Sequence, residues 1–286
     1  MTHVPAERCL SVIQLLAEHA AEMPLGEIAG HLELPKSGVH RLLATLVELG
    51  WARQDPQTNF YRLTMRLAIL GQRFYIATGI PDVCQPLLDG LAAESREFVR
   101  LAVVDSDSLV WVAHAQGATG GLIYQPALLT ATVPLHATAS GKAWLATLPV
   151  DAAIKLVLAN EGLANPEAFG PNVVRSISAL TAELKAAARR GYGVAVSEAE
   201  PGVTALAVAI RSRDSAAAAG TVSVAGPGVR MTEARLRELA PTVLGTAAEL
   251  SKIWPLRLRV DHRSSPAGGN PVPGRRPRGM EHIAET

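Results

Sequence analysis

Residues 34–46, LPKSGVHRLLATL, followed at 51–63 by WARQDPQTNFYRL, decide how the amino end of this chain folds. The proline at 35 pushes residue 34 out of the helical region and is itself at home at a helix start. A helix is therefore predicted from there to Gly50, a natural left-handed stop. Val39, Leu42, Leu43, Leu46 and Leu49 recur at three- and four-residue spacing and form its inward stripe. Ser37, Arg41 and Thr45 lie four apart and share one outward line, which a DNA major groove accepts. Strand-like runs at 51–54 and 60–63 then flank a turn of Asp55, Pro56, Gln57, Thr58 and Asn59. A compact amphipathic helix beside a two-stranded wing is the pattern of a winged helix-turn-helix module.

Two further helices precede it. In the first, Leu10, Ile13, Leu16 and Ala17 make one apolar face. The second covers 25–32, with Leu25, Ile28, Ala29 and Leu32 inward and Glu27 and His31 outward. Lys36 and Ser37 fall in the first turn of the third helix, where free N–H groups and the helix dipole favour phosphate. His40, Arg41 and Thr45 face outward beyond them, and the Arg41 fork suits guanine O6 and N7 together. Arg53 and Arg62 flank the wing turn as phosphate or minor-groove contacts. Charge sharpens this. Residues 1–63 carry five bases against seven acids, whereas 36–62 carry four bases against two. The bases gather on the third helix and the wing, which points to local contact with a duplex rather than a diffuse basic footprint. The competing reading is a helical bundle whose outer face is merely polar.

The blocks ERCLSVIQLLAEH at 7–19, LGEIAGHLELPKSGVHRLLATLVELGWARQDPQTNFYRL at 25–63, PLHATASGKAWLA at 134–146, RGYGVAVSEAEPGV at 190–203 and SVAGP at 223–227 resemble the IclR family of bacterial regulators. They follow the family's order and span roughly 5–253. Two departures fall in the first module. Gly38 stands where the family usually has Ser or Thr, removing a hydroxyl and costing about 1 kcal/mol in a helix. Asn59 stands where a wing glycine is usual, and asparagine tolerates the left-handed region.

At 286 residues with a net charge of +1, the chain has the length of two globular domains and no polyelectrolyte character. No apolar run is long enough to span a bilayer, and MTHVPAERCL lacks the layout of a signal peptide. A cytoplasmic protein without a membrane partner is expected. Cys9 and Cys84 are the only cysteines and have no metal-ligand spacing, so they read as inert thiols. Segment 64–78, TMRLAILGQRFYIAT, is apolar on too many sides for a free surface helix. It packs either within one chain or, as the resemblance implies, against a partner as a linker helix, giving a homodimer or homotetramer. Two-fold symmetric readers commonly take two half-sites of a double-stranded DNA operator. The expected boundaries are 1–63 for the reader, 64–80 for the linker, 81–254 for a second domain and 255–286 for a tail. In that tail six arginines meet three acids among Pro and Gly, a composition that predicts disorder.

From 82 onward helices mix with alternating strands. Helices are predicted at 86–96, 139–148, 152–159, 176–190 and 232–253. Strands are predicted at 98–104, 109–115, 192–196, 204–211 and 221–225, with 122–124 extended. This is an α+β layer, and the resemblance implies a GAF-like effector domain with an antiparallel sheet. Catalytic motifs fail. ASGKA at 139–143 would need glycine at 136 and Ser or Thr at 143 to be a phosphate loop, but those positions are His136 and Ala143. GYG at 191–193 lacks a third glycine at 196, no G-x-S-x-G occurs, and no histidines pair at metal spacing. His114 and His136 read as a strand and a loop histidine. No cofactor, metal or catalytic residue is assigned.

The resemblance implies a small-molecule pocket where HATASGKAWL leads into its helix, beside the strand after EPGV and the strand of SVAGP. Carried onto this chain, it falls on Ala139, Ser140, Ala195, Val203, Ala205, Ser223 and Ala225, with Tyr124 as a further wall. N–H groups near Ala139, Ser140 and Gly141 are candidates to hold a carboxylate. The family often has Asp at 195, Cys at 205 and Ser at 225, so this chain replaces polar partners with apolar wall. A larger, partly apolar carboxylic acid, aromatic or branched, is therefore expected as effector, the alternative being that these positions are ordinary core. The whole chain reads as an effector-controlled transcription regulator. A metabolic enzyme fused to a DNA-binding module and a ligand-independent DNA binder are the other readings.

Overall fold

The computed structural model describes residues 4–19, 21–126, 132–160, 162–211 and 217–254. The tail at 255–286 lies outside the described residues, as do the expectations attached to it.

The amino-terminal unit is three helices and a hairpin. Helix α1 spans Val4–Glu18, α2 Leu25–His31 and α3 Lys36–Glu48, followed by β1, Ala52–Gln54, paired antiparallel with β2, Tyr61–Leu63. Their shared core is Val12, Leu15, Leu16, Met23, Ile28, Val39, Leu43, Leu46 and Tyr61. This corrects the first helix: Val12 and Leu15 point inward, while Leu10 is 62% exposed and Ala17 is exposed. The stripe on α3 ends sooner than its spacing predicts. Leu49 is the helix cap and is 54% exposed, because the chain leaves the helix there and turns through Gly50 at φ 75°. Met23 exchanges backbone hydrogen bonds with Tyr61 at 2.9 and 2.8 Å, so the wing is braced against the segment that leads into α2.

Helix α4, Arg66–Ala77, follows the wing, and none of its residues is buried. Its start is tied to the reader. Thr64 donates through Oγ1 to the Gly50 carbonyl at 2.7 Å, while Arg66 donates to the Leu49 carbonyl and lies over the Trp51 ring at 5.0 Å. Gly79, at φ 72°, turns the chain into α5, Ile80–Ser95. That helix starts six residues before the predicted 86, with Pro86 inside it.

The second unit is built on a five-stranded antiparallel sheet in the order β4-β3-β7-β6-β5. Its strands are β3 Phe98–Asp105, β4 Ser108–Gln116, β5 Gly193–Val196, β6 Val203–Arg211 and β7 Ala218–Pro227. Helices α6 Ala139–Leu145, α7 Val150–Ala159, α8 Ile177–Arg190 and α9 Glu233–Ile253 complete it, with a 3₁₀ turn at Pro166–Ala168. The α+β, antiparallel architecture is as predicted. No strand forms at 122–124, and α6 ends three residues before 148.

Period-two alternation sorts the sheet into two unlike faces. Val99, Leu101, Leu206, Val208, Val222 and Val224 point into one core with α5 and α9. The opposite side, beneath α6, presents Ala195, Ala205, Ala207, Ser223 and Ala225. Register aligns them across strands: Ala195 opposes Ala205, Ala205 opposes Ala225, and Ala225 opposes Phe98. One row along, Ala207 opposes Ser223, Ser223 opposes Arg100, and Arg100 opposes His114. Small side chains on this face leave room that large ones fill on the other.

Candidate functional site

Lys36, Ser37, His40, Arg41 and Thr45 are all exposed on α3, and Arg53 is exposed on β1. Pro35 caps α3 without a side-chain hydrogen bond, so the first turn is covered by no side chain of its own cap. Thr45 donates back to the Arg41 carbonyl at 3.1 Å, so its hydroxyl proton is already engaged. The space a side chain would take at Gly38 is open, with nothing within 4 Å of a built Cβ. Arg62 differs from the rest. It is half-buried, and its Nε lies 2.9 Å from Glu22 Oε1, so an internal carboxylate already engages its charge. The wing turn is self-held: Asp55 Oδ1 accepts from the Gln57 and Thr58 N–H groups at 2.8 and 2.9 Å, which pull its carboxyl below the usual 3.8. Asn59 takes φ 59°.

All eight residues proposed for the effector pocket line one cavity of ≈ 60 Å³. Tyr124, Ala139, Ser140, Ala195, Val203, Ala205, Ser223 and Ala225 come together there with Arg100, Trp111, Thr138, Ala199 and Glu200, which sequence reasoning missed. Arg100 is 5% exposed. Its guanidinium lies 4.1 Å from the Trp111 ring centroid and 5.2 Å from that of Phe98, and its Nη2 donates to the Tyr124 hydroxyl at 3.3 Å. Burial weakens its hold on the proton, and Tyr124 and Glu200 partly restore it. The Tyr124 hydroxyl donates to Glu200 Oε1 at 2.8 Å, and burial pushes its own pKa well above 10.

Two local features bear on Trp111, which sequence reasoning did not place at the site, and on Gly141 as an expected carboxylate donor. Strict alternation from His114 puts Trp111 on the other face, but the β3–β4 register shifts between Leu101 and Ala102. A bulge inserts one residue and returns Trp111 to the cavity side. At the start of α6, Thr138 accepts from the Gly141 N–H at 2.9 Å, and its carbonyl accepts from the Lys142 N–H at 3.0 Å. Gly141 is thus engaged and is not a carboxylate donor. The helix sits close on β5, where a Cβ at Gly193 would come within 2.3 Å of the Ala139 carbonyl oxygen.

Lys142, the tested phosphate-loop lysine, is fully buried. Its Nζ lies 2.6 and 2.5 Å from the two Glu198 carboxylate oxygens and 3.3 Å from the Val194 carbonyl. This pair pins α6 to the SEAEPGV turn that carries Glu200. Removing one partner alone strands a buried charge, a loss of about 3–5 kcal/mol. A neighbouring tie acts on the Tyr124 segment. Arg230 holds Glu97 through Nε and Nη2 at 2.7 and 2.8 Å and donates through Nη1 to the Leu122 carbonyl at 2.7 Å. His114 is on β4 with its ring 5.6 Å from that of Phe98. His136 is in a loop, edge-on to Phe169 at 4.8 Å. Cys84 is buried, its thiol pushed up to about 11 by that burial, and Cys9 is half-buried. Among the described residues no cluster of His, Cys, Asp or Glu could hold a metal ion. No helix among them is long and apolar enough to cross a membrane.

Comparison with known proteins agrees at both ends of the chain. The family model for the IclR helix-turn-helix domain matches residues 5–56, and that for the bacterial transcriptional regulator IclR C-terminal matches 75–252. The HTH-type transcriptional regulator BhcR of Paracoccus denitrificans is 32% identical over 247 residues, covering 86% of this chain and 85% of that protein. The transcriptional repressor IclR of Escherichia coli is 29% identical, covering 85% and 87%. A crystal structure of an IclR homologue complexed with 4-hydroxybenzoate, from Microbacterium hydrocarbonoxydans, superposes with a TM-score of 0.65 at 24% identity, covering 85% of this chain and 99% of that one.

Proposed function

Because this chain belongs to the IclR family of bacterial transcriptional regulators, we propose that α3 and the wing read an operator in double-stranded DNA under control of an organic acid held in the Arg100 cavity. Lys36 and Ser37 meet phosphate at the first turn of α3, His40, Arg41 and Thr45 face base edges, and Arg53 and Arg62 reach the backbone from the wing. Of these, Arg62 contributes least, since Glu22 already engages its charge.

The observation that carries the effector reading is one cavity that joins a buried cation to a wall of alanines. Its chemistry suits an anion with an apolar body, a carboxylic acid that is aromatic or branched. Free space for about four waters suits the branched members of this class with the cavity walls as they stand. A ring would displace Tyr124, which is carried by an irregular segment and not by a strand. The protein works as a homodimer or homotetramer. Exposed apolar residues along α4 support this: Met65 and Phe74 are 73% exposed, Ile76 55%, Leu70 53% and Ile69 50%. Effector binding biases the relative placement of two reading helices through α4, a population shift between arrangements. The parts act in the cytoplasm and need no cofactor or catalytic residue.

Calorimetric titration of the full chain with small oxo- and hydroxy-acids and with branched and aromatic acids tests the effector class. Binding of the branched or aromatic members is expected. Tight binding of a two-carbon hydroxy- or oxo-acid with none of the larger ones would contradict it.

A further inference from the structure

Among the described residues lining the cavity, Arg100 is the sole base, and its environment is incomplete. The guanidinium lies against two rings, 4.1 Å from the Trp111 centroid and 5.2 Å from that of Phe98, which restricts its movement before any ligand arrives. Of its N–H groups, an Nη2 donor reaches the Tyr124 hydroxyl, but the buried Nε has no acceptor. Trp111 Nε1 beside it is also buried without an acceptor. Among the described residues no carboxylate pairs with the cation directly. Glu200 reaches it only through the Tyr124 phenol, which accepts from Arg100 and donates to Glu200. A buried charge with unmet donors is costly unless something pairs it, and both donors belong to side chains that line one cavity.

We propose that Arg100 is the anchor for the effector's carboxylate, with Trp111 Nε1 as a second donor and Glu200 as the opposing charge at the mouth. The inference rests on the reading of this cavity as the effector site and assigns the group that sets its specificity. At the start of α6 Thr138 takes the Gly141 N–H, so what that helix start can add beside Arg100 is confined to the Ala139 and Ser140 N–H groups. Ala139 and Ser140 are left to flank the ligand's body. A guanidinium suits a carboxylate better than an ammonium does, because its planar fork meets both oxygens. Glu200 works against the same anion. It balances Arg100 in the empty cavity and repels a carboxylate placed there.

Titration of the full chain with benzoate, 3-methylbutanoate and pyruvate, each beside its carboxamide, tests this in the wild-type protein and in Arg100→Met, Arg100→Lys and Glu200→Gln. An acid that binds the wild type should lose roughly 10- to 100-fold with Arg100→Met, and less with Arg100→Lys. Its carboxamide should bind the wild type and Arg100→Met alike, and Glu200→Gln should tighten the acid several-fold. Acid binding that survives Arg100→Met in a protein with an unchanged unfolding midpoint would overturn the anchor alone. If Arg100→Met does not fold, Glu200→Gln decides, and unchanged or weaker acid binding overturns the proposal. Failure of all three acids to bind the wild type would overturn the effector reading and the anchor with it.

Discussion

His136 shows how one side chain is governed by its surroundings. It is 3% exposed, its Nε2 has no hydrogen-bond partner, and burial with the nearby Lys142 charge holds its pKa below the usual 6.5. The unfolded chain therefore takes up this proton at a higher pH than the folded one does. The neutral ring's contribution is complete above about 6.5 and is lost as pH falls through the folded value. Urea unfolding at pH 7.5 and 5.5 should show a loss of stability on acidification that His136→Gln reduces. Identical losses in both proteins would contradict the assignment. At this scale the sequence was legible wherever a block of motif fixed the position. Seven of the eight proposed pocket residues line one cavity because the blocks at 134–146, 190–203 and 223–227 supply α6, β5, the start of β6 and the end of β7, and Tyr124 joins them from an irregular segment. Arg100 and Trp111 were not legible, since strand alternation alone puts no ligand beside Arg100 and the β4 bulge reverses the facing of Trp111.

Among the elements, α3 and α4 do opposite things with similar composition. The inward residues of α3 are met by α1, α2 and the wing, so what remains outside is mostly its polar side, with Val47 and Leu49 exposed near its end. Among the described residues, helix α4 meets α5 at its far end, where Tyr75 packs on the second core, and leaves Met65, Leu70 and Phe74 exposed. Burying one Phe side chain is worth about 1.5–3 kcal/mol, and two-fold symmetry counts it twice. Phe74→Ser should then weaken a homodimer by roughly 3–6 kcal/mol. Light scattering across a dilution series should show monomers of the variant where the wild type remains associated. An unchanged mass at every concentration would remove α4 from the interface. Element types followed from periodicity across both units. Ends were read less well, because they depend on particular turns: Gly79 in the left-handed region starts α5 early, and Leu49 belongs to a cap.

Across the whole molecule, the connection from cavity to reading helix is short in chain terms. Arg66 and Thr64 fasten the start of α4 to the carbonyls of Leu49 and Gly50, at the end of α3. At its other end α4 runs through Gly79 into α5, which packs on β3 and β4, the strands that carry Arg100 and Trp111. The proposed coupling of the cavity to α3 would run along this connection through α4 and α5, and the cavity itself owes its room to small residues on one side of the sheet. The most direct test of ligand-operated DNA reading is operator affinity with and without acid. The DNA would be selected from a random pool by the full chain, and the acid would be the one found by titration. Saturating acid should change affinity at least about five-fold, and Arg41→Ala should cost about 1–3 kcal/mol while relaxing preference at one base. Equal affinity with and without every acid that binds the protein would contradict the account.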